Sequence, residues 1–417
     1  MHVARAGLGV GVVDGKIYAI GGFVANGVAT GANEVYDPAT DTWETKSSMP
    51  TLRPYFALAV YKGKIYCIGS TGGTNEVYDP VTDTWETRAS MPTPRAYIKG
   101  NVVNGKIYVI GGFVSDGSGS GGGSRLDVNE VYDPETNSWT TKTPMPTAGL
   151  GHISAVVDNK IYITDSNRKN QIYDVETDTW SLGAPPPEYI GSGAAAATTG
   201  VNALKRIYIL TEHYGEARFN QVYDPKNDGW KTGTFMPTYR RNFGVAVMDD
   251  LIYVIGGYTM KRVDISEYIK TGEMYEYIFY ATNEQYVPFG YGTPDPSYDG
   301  TAPEVTVTSP QNKTYYTTDI TLNFTVNEPV SLIRYELDGE NATEIAGNTT
   351  LTELSYGAHN LTVYATDASG NTGTSETICF TVAEEPPFPT VLVATASGAS
   401  ATIIAIGLLV YFKKLKH

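Results

Sequence analysis

Asn33-Glu34-Val35-Tyr36-Asp37-Pro38-Ala39-Thr40-Asp41-Thr42-Trp43 is the stretch that decides the fold of this chain, because it recurs. The pattern runs again from Asn75 to Trp85 and returns with small changes at Asn129 to Trp139, Gln171 to Trp180 and Gln221 to Trp230. All five tryptophans of the chain fall on it. An apolar run of the type Gly-Lys-Ile-Tyr-Val-Ile-Gly-Gly comes before each copy and once more after the last, with its tyrosine at Tyr18, Tyr66, Tyr108, Tyr162, Tyr208 and Tyr253. Intervals of 41 to 54 residues between such units mean a solenoid or a propeller, here made of short strands.

The third unit shows how each is built. Alternation places strand a at about Tyr97 to Val103, Asn104-Gly105 is a two-residue hairpin, and strand b is Lys106 to Gly111. Strand c is Asn129 to Tyr132, residues Asp133 to Asn137 turn, and strand d is Ser138 to Thr141. Asp14-Gly15, Lys62-Gly63, Asp158-Asn159 and Asp249-Asp250 take the a–b hairpin elsewhere. Four antiparallel strands form one blade, and radial packing of blades makes a β-propeller with the tryptophans packed between them.

These residues resemble the Kelch repeat family in their Gly-Gly doublet, Tyr-Asp-Pro and spaced Trp, over Met1 to about Tyr291. The doublet is kept at Gly21-Gly22, Gly111-Gly112 and Gly256-Gly257 but becomes Gly69-Ser70, Thr164-Asp165 and Thr211-Glu212. Those three blades are expected to turn differently, since other residues resist positive φ. The sixth unit ends without a tryptophan strand. Either a strand upstream of Met1 closes the ring, with a signal peptide before it, or Met274 to Tyr280 is strand c and Asn283 to Phe289 is strand d.

The remaining chain divides by composition. Residues 292–302 read as a linker rich in Pro, Gly, Asp and Ser, and 303–383 as an eighty-residue β-sandwich of alternating Thr- and Val-rich runs. Gly357 to Val363, leading into Asp367 to Asn371, resembles Ig-like and fibronectin-like modules of prokaryotic surface proteins. Asp367 and Asn371 supply too few oxygens for calcium and read as a turn. Every Asn-x-Ser/Thr sequon lies here, at Asn312, Asn323, Asn341, Asn348 and Asn360, which would make the domain a glycosylated stalk. After a second linker (384–390), Val391 to Phe412 carries no charge and is long enough for a transmembrane helix. Lys413, Lys414 and Lys416 in the tail (413–417) then put the C-terminus in the cytoplasm and the propeller outside.

The fold class is therefore all-β: a six-bladed propeller (1–291), a sandwich and one C-terminal helix. A net charge of -15 argues against nucleic acid as a partner. Cys67 and Cys379 cannot build a disulfide framework or a cysteine-rich zinc site, and the five histidines lack metal-ligand spacing, so no metal or cofactor is expected. Cys67 stands where Val109 does in its own repeat and reads as a core thiol. Long loops (Phe23 to Ala32, Phe113 to Val128, Tyr258 to Gly272) share one face of the ring, where binding usually resides. Arg5, Arg53, Arg95 and Arg240 reach that face at the start of the innermost strands, where they either hold a carboxylate or phosphate or pair with the turns of their own blade. The resemblance also places ligand contacts near this rim. The sequence thus points to a membrane-anchored surface protein binding protein or glycan ligands. The alternatives are a carbohydrate-active enzyme or Kelch-like oxidase, whose sialidase boxes and copper ligands are missing here, and a structural surface-layer component.

Overall fold

The computed structural model describes every residue except 118–121, 151–152, 166, 214–216, 263–274, 289, 293–294, 296–300, 368–370 and 386–417, and not the side chains of 71, 212–213, 217–219 and 262. The apolar span Val391 to Phe412 and Lys413, Lys414 and Lys416 lie outside the described residues. Among those described, no helix is long and apolar enough to cross a membrane. The chain divides into two compact units, Met1–Asp299 and Gly300–His417.

Two-residue turns start five of the six blades of the first unit, blade five having a longer connection between Ala197 and Ile207. Asp14-Gly15, Lys62-Gly63, Asn104-Gly105, Asp158-Asn159 and Asp249-Asp250 all have positive φ at both positions, the turn that matches the twist of a tight hairpin. In blade one this joins strand a (Gly9–Val13) to strand b (Lys16–Ile20), followed by strand c (Asn33–Asp37) and strand d (Thr42–Lys46) in the order a-b-c-d. Blades two to five repeat that order. Strand a packs against strand a of the next blade all the way round, and that of blade six (Gly244–Met248) lies beside that of blade one. Six blades therefore close the ring. Strand a of blade three is shorter than the alternation suggests, Gly100–Val103, because Tyr97 takes φ 55° and breaks the extended run.

The glycine doublet turns as expected, for reasons of both φ and space. Gly22 has φ 101°, and a Cβ there would meet the Ala6 carbonyl at 2.5 Å. Blade two departs from expectation, since Ser70 adopts φ 65° and accepts the same turn. Blades four and five do differ. Thr164 ends strand b (Lys160–Thr164), and in blade five strand b runs through the position as Ile207–His213 into a long hairpin with Ala217–Asp224.

Each letter of the repeated motif has a task. In blade two, the Asp79 carboxylate accepts the Val81 amide at 2.9 Å and starts the c–d turn. Tyr78 donates to Asp83 at 2.6 Å while its ring lies 5.1 Å from that of Trp85. Ser47, just past strand d of blade one, donates its amide to Asp83 (2.8 Å) and accepts from Trp85 Nε1 (2.8 Å). The same pair of bonds ties Ala89 to Asn137 and Trp139, Thr143 to Asp178 and Trp180, and Ala184 to Asp228 and Trp230. The tryptophans are half-buried and act as clips between blades. Trp43 packs beside Met248 and Leu251 of blade six but meets no such carbonyl among the described residues.

The reason is blade six itself, which among the described residues has three strands: Gly244–Met248, Leu251–Ile255 and Asn283–Tyr286. Asn283 pairs with Ile255 and Tyr286 with Ile252, so this segment is strand c. The reading of Asn283 to Phe289 as the closing strand d is corrected, as is that of Met274 to Tyr280 as strand c. Tyr275–Phe279 instead forms a separate hairpin with Tyr258–Arg262.

After blade six the chain is less free than a linker. Gly292 donates to the Asn202 carbonyl, and Asp295, 7% exposed, accepts the Lys205 amide at 3.0 Å. In the second unit, the sheet Val305–Ser309, Ile320–Val326 and Thr349–Leu351 shares one core with a six-stranded sheet that includes Leu332–Leu337, Gly357–Thr366 and Ile378–Val382. Leu322, Leu361, Val363 and Phe380 lie at its centre. Asp367 and Asn371 form a turn, with the Asn371 amide 2.9 Å from the Asp367 carboxylate.

Candidate ligand site at the channel mouth

The four arginines sit inside the blades. Arg5, Arg53, Arg95 and Arg240 are at most 2% exposed, and each pairs with a glutamate of strand c in its own blade: Glu34, Glu76, Glu130 and Glu284. In blade two the Arg53–Glu76 separation is 2.5 Å, and Arg53 Nη2 donates to the Cys67 carbonyl at 2.7 Å. Burial pulls the pKa of Arg5, Arg95 and Arg240 down, and the paired glutamates oppose it. The guanidiniums are spent on fixing their own blade and present no surface at the rim, but their partners are strand c glutamates and strand b carbonyls rather than the turns expected from sequence.

The rim is made two residues further on. Gly7, Tyr55, Tyr97 and Asn242 all take positive φ, between 53° and 62°. Their backbones form a chain of hydrogen bonds round the opening of the axial channel: Gly7 to Asn242, Tyr55 to Gly7 and Tyr97 to Tyr55, at 2.7 to 2.9 Å. Glycine and asparagine suit that conformation, whereas tyrosine does not. The two tyrosines stack at 4.2 Å with 21° between rings, and Asn242 Nδ2 donates to the Tyr55 hydroxyl at 3.0 Å. Phe23 lies 5.6 Å from Tyr55, 5.7 Å from Phe279 and 6.0 Å from Tyr258, extending the aromatic surface towards the long b–c loops. Below the rim lies a cavity of about 100 Å³ walled by Leu8, Phe56, Leu58 and Ile98, with Lys99 at its floor.

Other residues picked out by sequence are scattered. Asn312, Asn341, Asn348 and Asn360 are exposed and Asn323 is half-buried. Cys67 is fully buried, which pushes its thiol up to about 12. No group of three His, Cys, Asp or Glu side chains that could hold a metal occurs among the described residues. Sequence reasoning missed Tyr55, Tyr97, Asn242 and Lys99, although one signal was available. Counting from the repeat arginines, Tyr55 and Tyr97 stand where Gly7 stands in blade one.

Comparison with known proteins assigns the class. Residues 4–50, 94–146 and 239–279 match the Kelch motif, so this all-β chain carries Kelch motifs, which are protein-interaction motifs. It is similar to the influenza virus NS1A-binding protein homolog of Mus musculus, 38% identical over 71 residues that are 17% of this chain and 11% of that protein. Alpha-scruin of Limulus polyphemus is 41% identical over 69 residues, 16% of this chain and 8% of scruin. The chain thus matches only a small part of the length of these relatives. Among solved structures, YjhT aligns with a TM-score of 0.52 at 15% identity, over 68% of this chain and 95% of that one, a likeness of fold.

Proposed function

We propose that this chain is a binding protein of the cell surface whose propeller captures a protein ligand at the aromatic mouth of its channel. The observation that carries this reading is the pair Tyr55 and Tyr97, held stacked at positive φ on the face that bears the long loops. Bulky residues in that conformation cost free energy, and such outliers concentrate where a surface has a task. Half-buried aromatics also supply contact area at a small entropic cost. The second unit serves as an Ig-like spacer carrying glycans at its sequons. Val391 to Phe412 anchors the chain, with Lys413, Lys414 and Lys416 on the cytoplasmic side. A glycan ligand is the second reading, favoured by the same stacked rings.

The test is binding of the whole chain to panels of surface proteins and glycans, compared with Tyr55→Asn and Tyr97→Asn. Asparagine already holds the matching position in blade six as Asn242, so these variants keep the backbone. Affinity should fall at least tenfold, while Lys62→Ala on the opposite face leaves it unchanged. Equal binding by the tyrosine variants would overturn the assignment. Protease added to intact cells should digest the propeller, and replacing the three tail lysines with glutamate should weaken the orientation; full protection of the unmodified chain would reverse it.

A further inference from the structure

Lys99 breaks the repeat with a charge inside the channel. At the position four residues after the repeat arginine, blades one, two and six carry Gly9, Ala57 and Gly244, and the register places Ile153 and Ala194 there in blades four and five, whereas blade three carries a lysine. None of the six inner strands that wall the channel contains a charged residue. Every buried arginine described above has its own glutamate, but Lys99 has no carboxylate partner among the described residues. Its amine donates to the carbonyls of Ser154 (2.9 Å) and Ala195 (2.7 Å), on the inner strands of blades four and five. A third proton is left over. The amine stands between the mouth cavity and a deeper one of about 240 Å³ walled by Asn101, Val156, Ala196 and Val247.

We propose that Lys99 is the anchor of a carboxylate-binding subsite within the axial channel. A carboxylate entering past Tyr55 and Tyr97 would supply the counter-charge that the chain itself withholds, and would accept the remaining proton in a charge-assisted bond. Gly9, Ala57, Ala194 and Gly244 at the matching positions of four other blades leave room for it. Burial lowers the amine to about 8, as expected for a cation without a partner, and a bound anion would raise it again. The strands packed round the amine offer no competing charge, and the titratable and charged groups at the mouth are the phenols of Tyr55, Tyr97 and Tyr258 and the guanidinium of Arg241, which lies over the Tyr258 ring. The proposal rests on the channel mouth being the ligand site and adds the chemistry of what enters it.

The experiment titrates the whole chain with acetate, against chloride at equal ionic strength, and with a capped Gly-Asp-Gly peptide and its Asn counterpart. Lysine methylene resonances followed by NMR give the amine's pKa, and thermal shifts give binding. Acetate or the Asp peptide should raise the pKa of Lys99 and stabilise the protein at pH 7, with the effect fading as pH rises through 8 to 9. Lys99→Met, which keeps the bulk and removes the charge, should weaken binding at least tenfold. Response to acetate alone marks a free small acid as the source, and response to the peptide alone marks an acidic loop. An unmoved Lys99 titration, equal binding of the Asn peptide or equal stabilisation of Lys99→Met overturns the subsite. If a macromolecular ligand binds Lys99→Met as tightly as the unmodified chain, the subsite falls and the mouth stands. If acetate titrates Lys99 but the tyrosine variants bind the macromolecule normally, the mouth reading falls instead.

Discussion

Asp83 shows what a single motif residue does for the ring. It turns the chain at φ 53°, accepts the Tyr78 hydroxyl and holds the amide of Ser47 in the preceding blade. The Tyr78 hydroxyl, and then the Ser47 amide, hold its carboxyl below the usual range. A depressed carboxylate contributes stability that is present above its unfolded pKa of about 3.9 and is lost as pH falls through the folded value. Asp83→Asn should therefore lose part of the acid-induced drop in Tm seen below pH 4 in the parent, as measured by circular dichroism. Tryptophan follows the same logic. Trp85→Phe deletes the bond to Ser47 and should cost about 1 kcal/mol in chemical denaturation. Trp43→Phe should cost less, since that indole meets no carbonyl on blade six; equal losses would count against the clip.

At the scale of the blade, the arginine–glutamate pair is the internal fastening, and its worth depends on how well strand d covers it. Glu76 is 3% exposed under strand d, while the Glu284 side chain is 19% exposed in blade six, which has no such strand among the described residues. Breaking a fully buried pair strands a charge and costs on the order of 3 kcal/mol, whereas water relieves a partly exposed one. Glu76→Gln should thus destabilise clearly more than Glu284→Gln in urea melts. The outward amides of Asn283–Tyr286 should likewise exchange with deuterium faster than those of Asn75–Asp79. A trace of this pairing stands in the sequence, although only the structure shows it. Glutamate occupies the second motif position where a repeat arginine exists, and Gln171 and Gln221 replace it in blades four and five, where Gln171 instead exchanges hydrogen bonds with the Thr147 backbone.

For the whole molecule, two units with separate cores should melt in two calorimetric transitions. Only the transition of the second unit should respond to His359, which is 4% exposed and bonded to Asp338 (2.7 Å) and the Ser355 carbonyl (2.8 Å). Burial works to lower its pKa, but the bonds to Ser355 and Asp338 outweigh it and the net shift is upward. A raised histidine contributes stability that is full below its unfolded pKa of about 6.5 and is lost as pH rises through the folded value. The second transition should accordingly move down between pH 6 and pH 8, and His359→Gln should flatten that slope while leaving the first transition in place.

The sequence by itself determined the blade: its period, its turns, its order of strands and the sandwich that follows, because these rest on local φ preferences and on alternation within a few dozen residues. It also marked blade six as lacking a tryptophan strand. Only the tertiary structure decided which residues the ring exposes. The repeat arginines begin the right strands, but the direction of a side chain depends on partners up to 44 residues away, and the glutamates of strand c draw the guanidiniums inwards. The rim and channel arise where six copies of one position meet around an axis. Tyr55, Tyr97, Asn242 and Lys99 belong to separate repeats and form a candidate site only because closure of the ring sets them side by side.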